Sequence, residues 1–132
     1  MIHSVPSQIE TSAAPAASGP YSQAIRAGNL VFVAGQLGAD PATGELADGA
    51  AAQADRALRN LTAVLDAAGV ALDRVVKTTV FLSDMANFST VNEAYASHFS
   101  APYPARSTIA VRELPRGGLV EIEAIAIAPD GG

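Results

Sequence analysis

The sequence predicts an α+β domain. A mixed β-sheet runs in the order β-β-α-β-α-β-β, and its two helices pack on one face. Three observations lead there. One long segment repeats apolar residues at helical spacing. Several short runs of β-branched and aromatic residues are bounded by turn signals. Strands and helices alternate through the middle of the chain, which requires parallel crossovers, while the outer strands are joined by tight turns and must pair antiparallel.

Taken from the N-terminus, Ile2–Val5 reads as a short edge strand, and Pro6 to Pro20, rich in Ala, Ser and Pro, as irregular. The run Gly19-Pro20-Tyr21-Ser22-Gln23-Ala24 leads into a strand, turned at Ala27-Gly28-Asn29 because Gly and Asn tolerate positive φ. Leu30 to Ala34 is the returning strand, and Asp40-Pro41-Ala42-Thr43-Gly44 a second turn. A helix follows from about Gly49 to Ala68, with Asp48 as N-cap and Gly69 as C-cap. Leu58, Leu61, Leu65 and Ala68 form its apolar stripe; Gln53, Arg56, Arg59, Asn60 and Asp66 fall largely away from it.

Val75 to Leu82 is a strand on propensity, and Asp84 to Asn87 a turn. The second helix runs from about Ser89 to Phe99, with Val91, Ala94, Tyr95 and Phe99 at helical spacing, until Pro102 and Pro104 forbid its continuation. Arg106 to Arg112 is a strand, Leu114 to Gly118 a turn, and Leu119 to Ala128 the last strand.

That last strand carries information about assembly. Val120, Ile122, Ala124 and Ala126 point to one side; Leu119, Glu121, Glu123, Ile125 and Ile127 point to the other. A strand with one face in water alternates apolar with polar residues. Large apolar residues stand on both faces here, so the face without helices is expected to be buried against another subunit.

The 132 residues fit one domain, taken as 1–132. Hydrophobic residues make up 49% and charged residues 16%, a globular composition. The net charge of -5 and the absence of a basic cluster argue against nucleic acid as a partner, which calls for a dense cationic surface. With no cysteine there is no disulfide, thiolate metal site or cysteine nucleophile, and the two histidines, His3 and His98, make no metal site. No apolar run spans a bilayer and the N-terminus has no secretory pattern. The expectation is a cytoplasmic protein without membrane contact.

A few residues suit chemistry. Arg106, in Pro104-Ala105-Arg106-Ser107-Thr108, stands where a stiffened loop becomes a strand. A guanidinium there can grip a carboxylate through two parallel hydrogen bonds, and the residue type equally permits a solvated or structurally paired Arg. Glu121 and Glu123 share one strand face. A buried carboxylate has a raised pKa and suits general acid–base work, and a salt bridge across a subunit contact is the alternative. Tyr21, behind the rigid Gly19-Pro20 step, either lines a pocket or packs at a strand start. Asn92 lies early in the second helix, and Gly35-Gln36 suggests close backbone approach. Thr78, Thr79, Ser107 and Thr108 lack the base and orienter a nucleophile needs. Gly35, Gly38 and Gly44 form no dinucleotide fingerprint.

Taken together, several segments resemble the RidA/YjgF family of reactive enamine/imine deaminases. They include Gly19-Pro20-Tyr21-Ser22-Gln23-Ala24, Gly28-Asn29-Leu30-Val31-Phe32, Gly35-Gln36, Thr43-Gly44-Glu45, the run Val75 to Leu82, Val91-Asn92, Pro104-Ala105-Arg106-Ser107 and Glu121-Ile122-Glu123-Ala124. They occur in family order over nearly the whole chain. The resemblance implies the chorismate-mutase-like Rid fold, a homotrimer with clefts between subunits, and no cofactor. It implies hydrolysis of 2-aminoacrylate and related enamines or imines, among them 2-iminopropanoate and 2-iminobutanoate, to 2-keto acids and ammonia. Arg106 would hold the substrate carboxylate, Glu121 would position or activate the attacking water, and Tyr21 and Asn92 would line the cleft. Thr108 would stand at a substrate-binding position that often carries Cys, and Ala34 at one that often carries Ser; both departures bear on substrate preference more than on reaction class. A non-catalytic carboxylate-binding trimer and an RNA-cleaving translation inhibitor are the alternatives. Chorismate mutase chemistry is disfavoured, since one candidate Arg at the cleft is few cations for a dicarboxylate.

Overall fold

A computed structural model describes residues 5–129. The strands are β1 (Ser7–Ile9), β2 (Ala24–Ala27), β3 (Leu30–Leu37), β4 (Val75–Leu82), β5 (Ala105–Ala110) and β6 (Val120–Ile127); the helices are α1 (Ala50–Ala67) and α2 (Phe88–Ala96). The expected order is present with one strand added at its start. That strand, β1, lies within the segment read as irregular: Ser7-Gln8-Ile9 is too short and polar to show alternation, and it is held by pairing with β2. The strand expected at Ile2–Val5 falls mostly outside the described residues, as does His3, and Val5 belongs to no strand.

The six strands form one mixed sheet in the order β1-β2-β3-β6-β4-β5. β4 and β5 are parallel and every other pairing is antiparallel. β6 therefore inserts between β3 and β4, the two strands joined through α1. Both helices pack on one face of the sheet. Leu58, Leu61, Val64 and Leu65 of α1 are fully buried, against Val31, Val80, Val120 and Ile122 of the sheet. Each such aliphatic side chain contributes about 1.5–3 kcal/mol by leaving water.

Several local expectations need correction. The cap of α1 is Gly49, without a side-chain hydrogen bond, so Asp48 does not cap the helix. The C-cap is Ala68, and Gly69 follows it at φ 73, the left-handed turn that glycine enters without steric cost. Gln53 and Asn60 are buried rather than turned outward. Their amides are spent on backbone: Gln53 Nε2 donates to Ala47 O at 3.0 Å, and its Oε1 accepts from Leu119 N–H at 2.8 Å. Asn60 Nδ2 donates to Leu37 O at 3.1 Å and to Ala39 O at 2.9 Å. Polar side chains on an apolar stripe are stable once they pair with backbone that has no other partner. His98 Nε2 meets Asp55 Oδ1 at 2.7 Å and so joins the end of α2 to α1. Hydrogen bonds from Arg59, then His98, hold the Asp55 carboxyl below its ordinary range.

The opposite face of the sheet has no helix over it. Phe32 and Ile109 are 42% and 45% exposed there, and Phe81, Ile125 and Ile127 are half-buried. No helix among the described residues is long and apolar enough to cross a membrane.

Candidate active site

Glu121 projects from β6 onto the helix-free face, paired with Phe81 of β4 on one side and Leu37 of β3 on the other. The β3–β6 register shifts between Val33 and Gln36. This irregularity turns Gly35 toward the carboxyl: a Cβ at Gly35 would lie 2.9 Å from Glu121 Cδ and 3.0 Å from Oε2. Only a residue without a side chain lets the carboxyl lie against the strand backbone. Burial raises the Glu121 pKa, and the neighbouring charge of Glu123 raises it further.

We expect Gly35→Ala to push Glu121 off this seat and to lower kcat by at least about tenfold, as small misplacements of reacting groups do, with little change in unfolding temperature. Wild-type kcat in that variant would show that the seat is irrelevant.

A cleft of about 580 Å³ opens beside Glu121, lined also by Tyr21, Ala34, Gly35, Gln36 and Arg116. The irregular wall of this cleft is held by Gln23, which is buried. Its Nε2 donates to Thr11 O at 3.0 Å and Pro15 O at 2.8 Å, and its Oε1 accepts from Thr11 N–H at 2.7 Å. Tyr21 turns back on itself: its N–H donates to Gly19 O at 2.8 Å, and its hydroxyl accepts from Ser18 N–H at 3.3 Å. The ring is 53% exposed at the mouth of the cleft.

Arg106 is on the other side of the sheet. β5 aligns Arg106 with Thr78 and Thr108 with Val80, and both β4 partners are buried on the helix face. The guanidinium carbon sits 4.8 Å from the Tyr95 ring centroid and 5.9 Å from that of Phe88. Asn92 is four residues from Phe88 and three from Tyr95, hence on the same stripe of α2. Among the described residues the Arg106 guanidinium has no ion pair. Thr108 Oγ1 is buried without a hydrogen-bond partner.

The candidates thus fall into two groups. Tyr21 and Glu121 share one cleft; Arg106, Asn92 and Thr108 gather at the β5 edge under α2. Within one chain Arg106 and Glu121 point to opposite faces of the sheet. Thr78, considered as a nucleophile, is committed to Tyr95, their oxygens 2.7 Å apart. His98 is tied to Asp55 and joins neither group. Among the described residues no cluster of His, Asp and Glu is arranged to hold a metal.

Sequence reasoning missed Arg116, a cation that lines the Glu121 cleft. Its φ of 61 places a non-glycine residue in the left-handed region, a feature without a signal in a single sequence. It likewise took Tyr95 as core. Tyr95 is buried, yet one face of its ring serves Arg106.

Comparison with known proteins agrees with this architecture. Residues 11–128 match the model of the family described as Endoribonuclease L-PSP. A mouse protein named 2-iminobutanoate/2-iminopropanoate deaminase is 50% identical over 120 residues, covering 90% of this chain and 89% of the relative. The crystal structure of RidA from an Antarctic Psychrobacter superposes with a TM-score of 0.90 at 48% identity, covering 92% of this chain and 98% of that one. E. coli TdcF with bound serine superposes at 0.88 with 40% identity, over 93% and 99% of the two chains. The motifs from Gly19 to Ala124, the mixed sheet with two helices on one face and these matches agree, and the chain belongs to the Endoribonuclease L-PSP family, that of the RidA/YjgF proteins.

Proposed function

We propose that the protein is an enzyme that hydrolyses small 2-imino and 2-enamino acids, 2-iminopropanoate and 2-iminobutanoate among them, to 2-keto acids and ammonia, in the cytoplasm. The working unit is a homotrimer whose active sites form between subunits. The observation that carries this reading is the division of the site. A guanidinium without an ion pair among the described residues lies at the β5 edge and a half-buried carboxyl lies on the opposite face, so neither half is complete without another copy. The uncovered apolar face around Phe32, Phe81 and Ile125 supports the same assembly.

Arg106 of one copy grips the substrate carboxylate through two N–H···O bonds. Asn92 and Thr108 border this grip, and Tyr21 of the next copy closes the cleft. An enamine tautomerises to an imine, which is already electrophilic, so neither a metal nor an organic cofactor is required. Glu121 accepts a proton from water as the oxygen attacks C2 of the protonated imine, whose C=N electrons move to nitrogen, giving a neutral carbinolamine. Glu121 then returns that proton to nitrogen, and as the C–N bond breaks the hydroxyl proton passes back to Glu121, so that ammonia leaves and the C=O of the keto acid forms. A positioned acid–base group of this kind contributes about 10²–10⁴-fold.

The test is a coupled assay of ammonia release across iminopropanoate, iminobutanoate and bulkier imino acids, repeated over pH. Glu121 must be ionised to take the proton, and its pKa is raised. We therefore expect kcat/KM to climb with pH above the ordinary glutamate range. Glu123→Gln removes the second cause of the rise and leaves burial, so the acid limb should move to lower pH without reaching the ordinary value. A kcat/KM with no acid limb above the ordinary glutamate range would remove Glu121 from the base role. Protein that binds 2-ketobutyrate yet accelerates no imine would instead be a carboxylate-binding trimer.

A further inference from the structure

We propose that the buried pair Thr78 and Tyr95 is a positioning device for Arg106, a platform that fixes the plane of its guanidinium and leaves its N–H edge free for the substrate carboxylate. The inference rests on the function proposed above and assigns roles to residues outside the candidate set.

A long cationic side chain on an exposed edge strand loses considerable rotamer freedom when it is fixed, and without a partner it does not stay fixed. Arg106 is exposed and has no ion pair among the described residues. An acidic partner would orient it, but would also occupy the donors needed for substrate. An aromatic face orients the plane and occupies none of them. Tyr95 supplies that face at 4.8 Å, with Phe88 more distant at 5.9 Å.

The ring of Tyr95 must itself be held still. Its hydroxyl and Thr78 Oγ1 are 2.7 Å apart, with Thr78 fully buried and Tyr95 5% exposed. Phe99 packs against the other part of the ring, with centroids 4.6 Å apart. Thr78 is also the β4 residue aligned with Arg106 in the β4–β5 ladder. One strand pair therefore sets both the origin of the Arg106 side chain and, through Thr78, the tilt of the ring it lies on.

A positioning role separates binding from chemistry. Loss of a cation–π contact made by an exposed Arg corresponds to about a twofold to fivefold change in affinity. Tyr95→Leu should raise KM for iminobutanoate, and Kd for 2-ketobutyrate measured by calorimetry, about fivefold, with kcat within about twofold because Tyr95 does not touch Glu121. Tyr95→Phe keeps the ring face but removes the hydrogen bond to Thr78, so both constants should rise about twofold to threefold, less than in Tyr95→Leu, and wild-type constants in Tyr95→Phe would take Thr78 out of the device. If Tyr95→Leu does not fold, Phe88→Leu at the exposed start of α2 carries the test, with an expected rise of about twofold to threefold in both constants. Wild-type KM and Kd in folded Tyr95→Leu, or in Phe88→Leu where the first does not fold, overturn the platform while imine hydrolysis by the wild type stands. Wild-type protein that hydrolyses no imine, but whose Kd for 2-ketobutyrate still depends on Tyr95, overturns the deaminase and keeps the platform.

Discussion

Arg106→Ala is expected to lower kcat/KM for imine hydrolysis by about 10²–10³-fold, the effect of removing a bidentate charged clamp, while leaving fold and assembly unchanged. The fold should tolerate the change because Arg106 is exposed on an edge strand and has no ion pair among the described residues. The variant loses only the contact with Tyr95 and Phe88, and a surface change of that kind stays close to neutral for stability. Catalysis should not tolerate it. The imine carboxylate is the one permanent charge on these substrates, and of the candidates gathered at the β5 edge, Arg106, Asn92 and Thr108, Arg106 alone carries a positive charge and a fork of parallel donors. Arg106→Lys keeps the charge but loses the planar fork, so its activity should fall between the two. The measurements are ammonia release from freshly generated 2-aminoacrylate and the mass of the assembly in solution. Wild-type activity in Arg106→Ala would end the clamp assignment.

How far this site was legible before the structure depends on which physical signal each residue leaves. Arg106 and Glu121 stand in strands whose alternation is plain, so their faces followed from counting by two. The sorting of β6 into two faces holds for that reason, and the structure shows Val120, Ile122, Ala124 and Ala126 to be the side buried under the helices. That Arg106 and Glu121 lie on opposite faces did not follow. It depends on the β4–β5 and β4–β6 registers together, and register between distant strands leaves no trace in one sequence. The same holds for Gly35. Its glycine was noted as a place of close approach, but that Glu121 is what approaches depends on the irregular register of β3 against β6.

Polar residues of α1 were the other failure. Gln53 and Asn60 look like surface on periodicity, since amides usually face water. They are inside because the end of β3 and the loop before α1 bring the carbonyls of Leu37, Ala39 and Ala47 within reach of these long amide side chains. Strand β1 was invisible for a related reason: three residues owe their conformation to the β2 edge rather than to their own composition. Tertiary partners decided these features, and tertiary partners are what a single sequence does not display.

The division of the site leads to a result that no single-chain active site can give. Glu121→Gln alone should lose about 10²–10⁴-fold in kcat, the usual contribution of a general base, and Arg106→Ala alone about 10²–10³-fold in kcat/KM by loss of the clamp. If every site takes Arg106 from one copy and Glu121 from another, a mixture of the two impaired variants contains sites in which the intact Arg of one meets the intact Glu of the other. In a closed three-fold ring, every mixed trimer has one such junction. Equal amounts, dissociated and reassembled together, should therefore recover about a quarter of wild-type activity, while each variant carried through the same procedure alone recovers none. Mixing without dissociation should restore nothing. A single-chain site predicts no recovery under any protocol, because no chain in the mixture holds both residues. Absence of recovery after verified subunit exchange would show that Arg106 and Glu121 act in one chain, and their placement on opposite faces of the sheet would then have to be wrong.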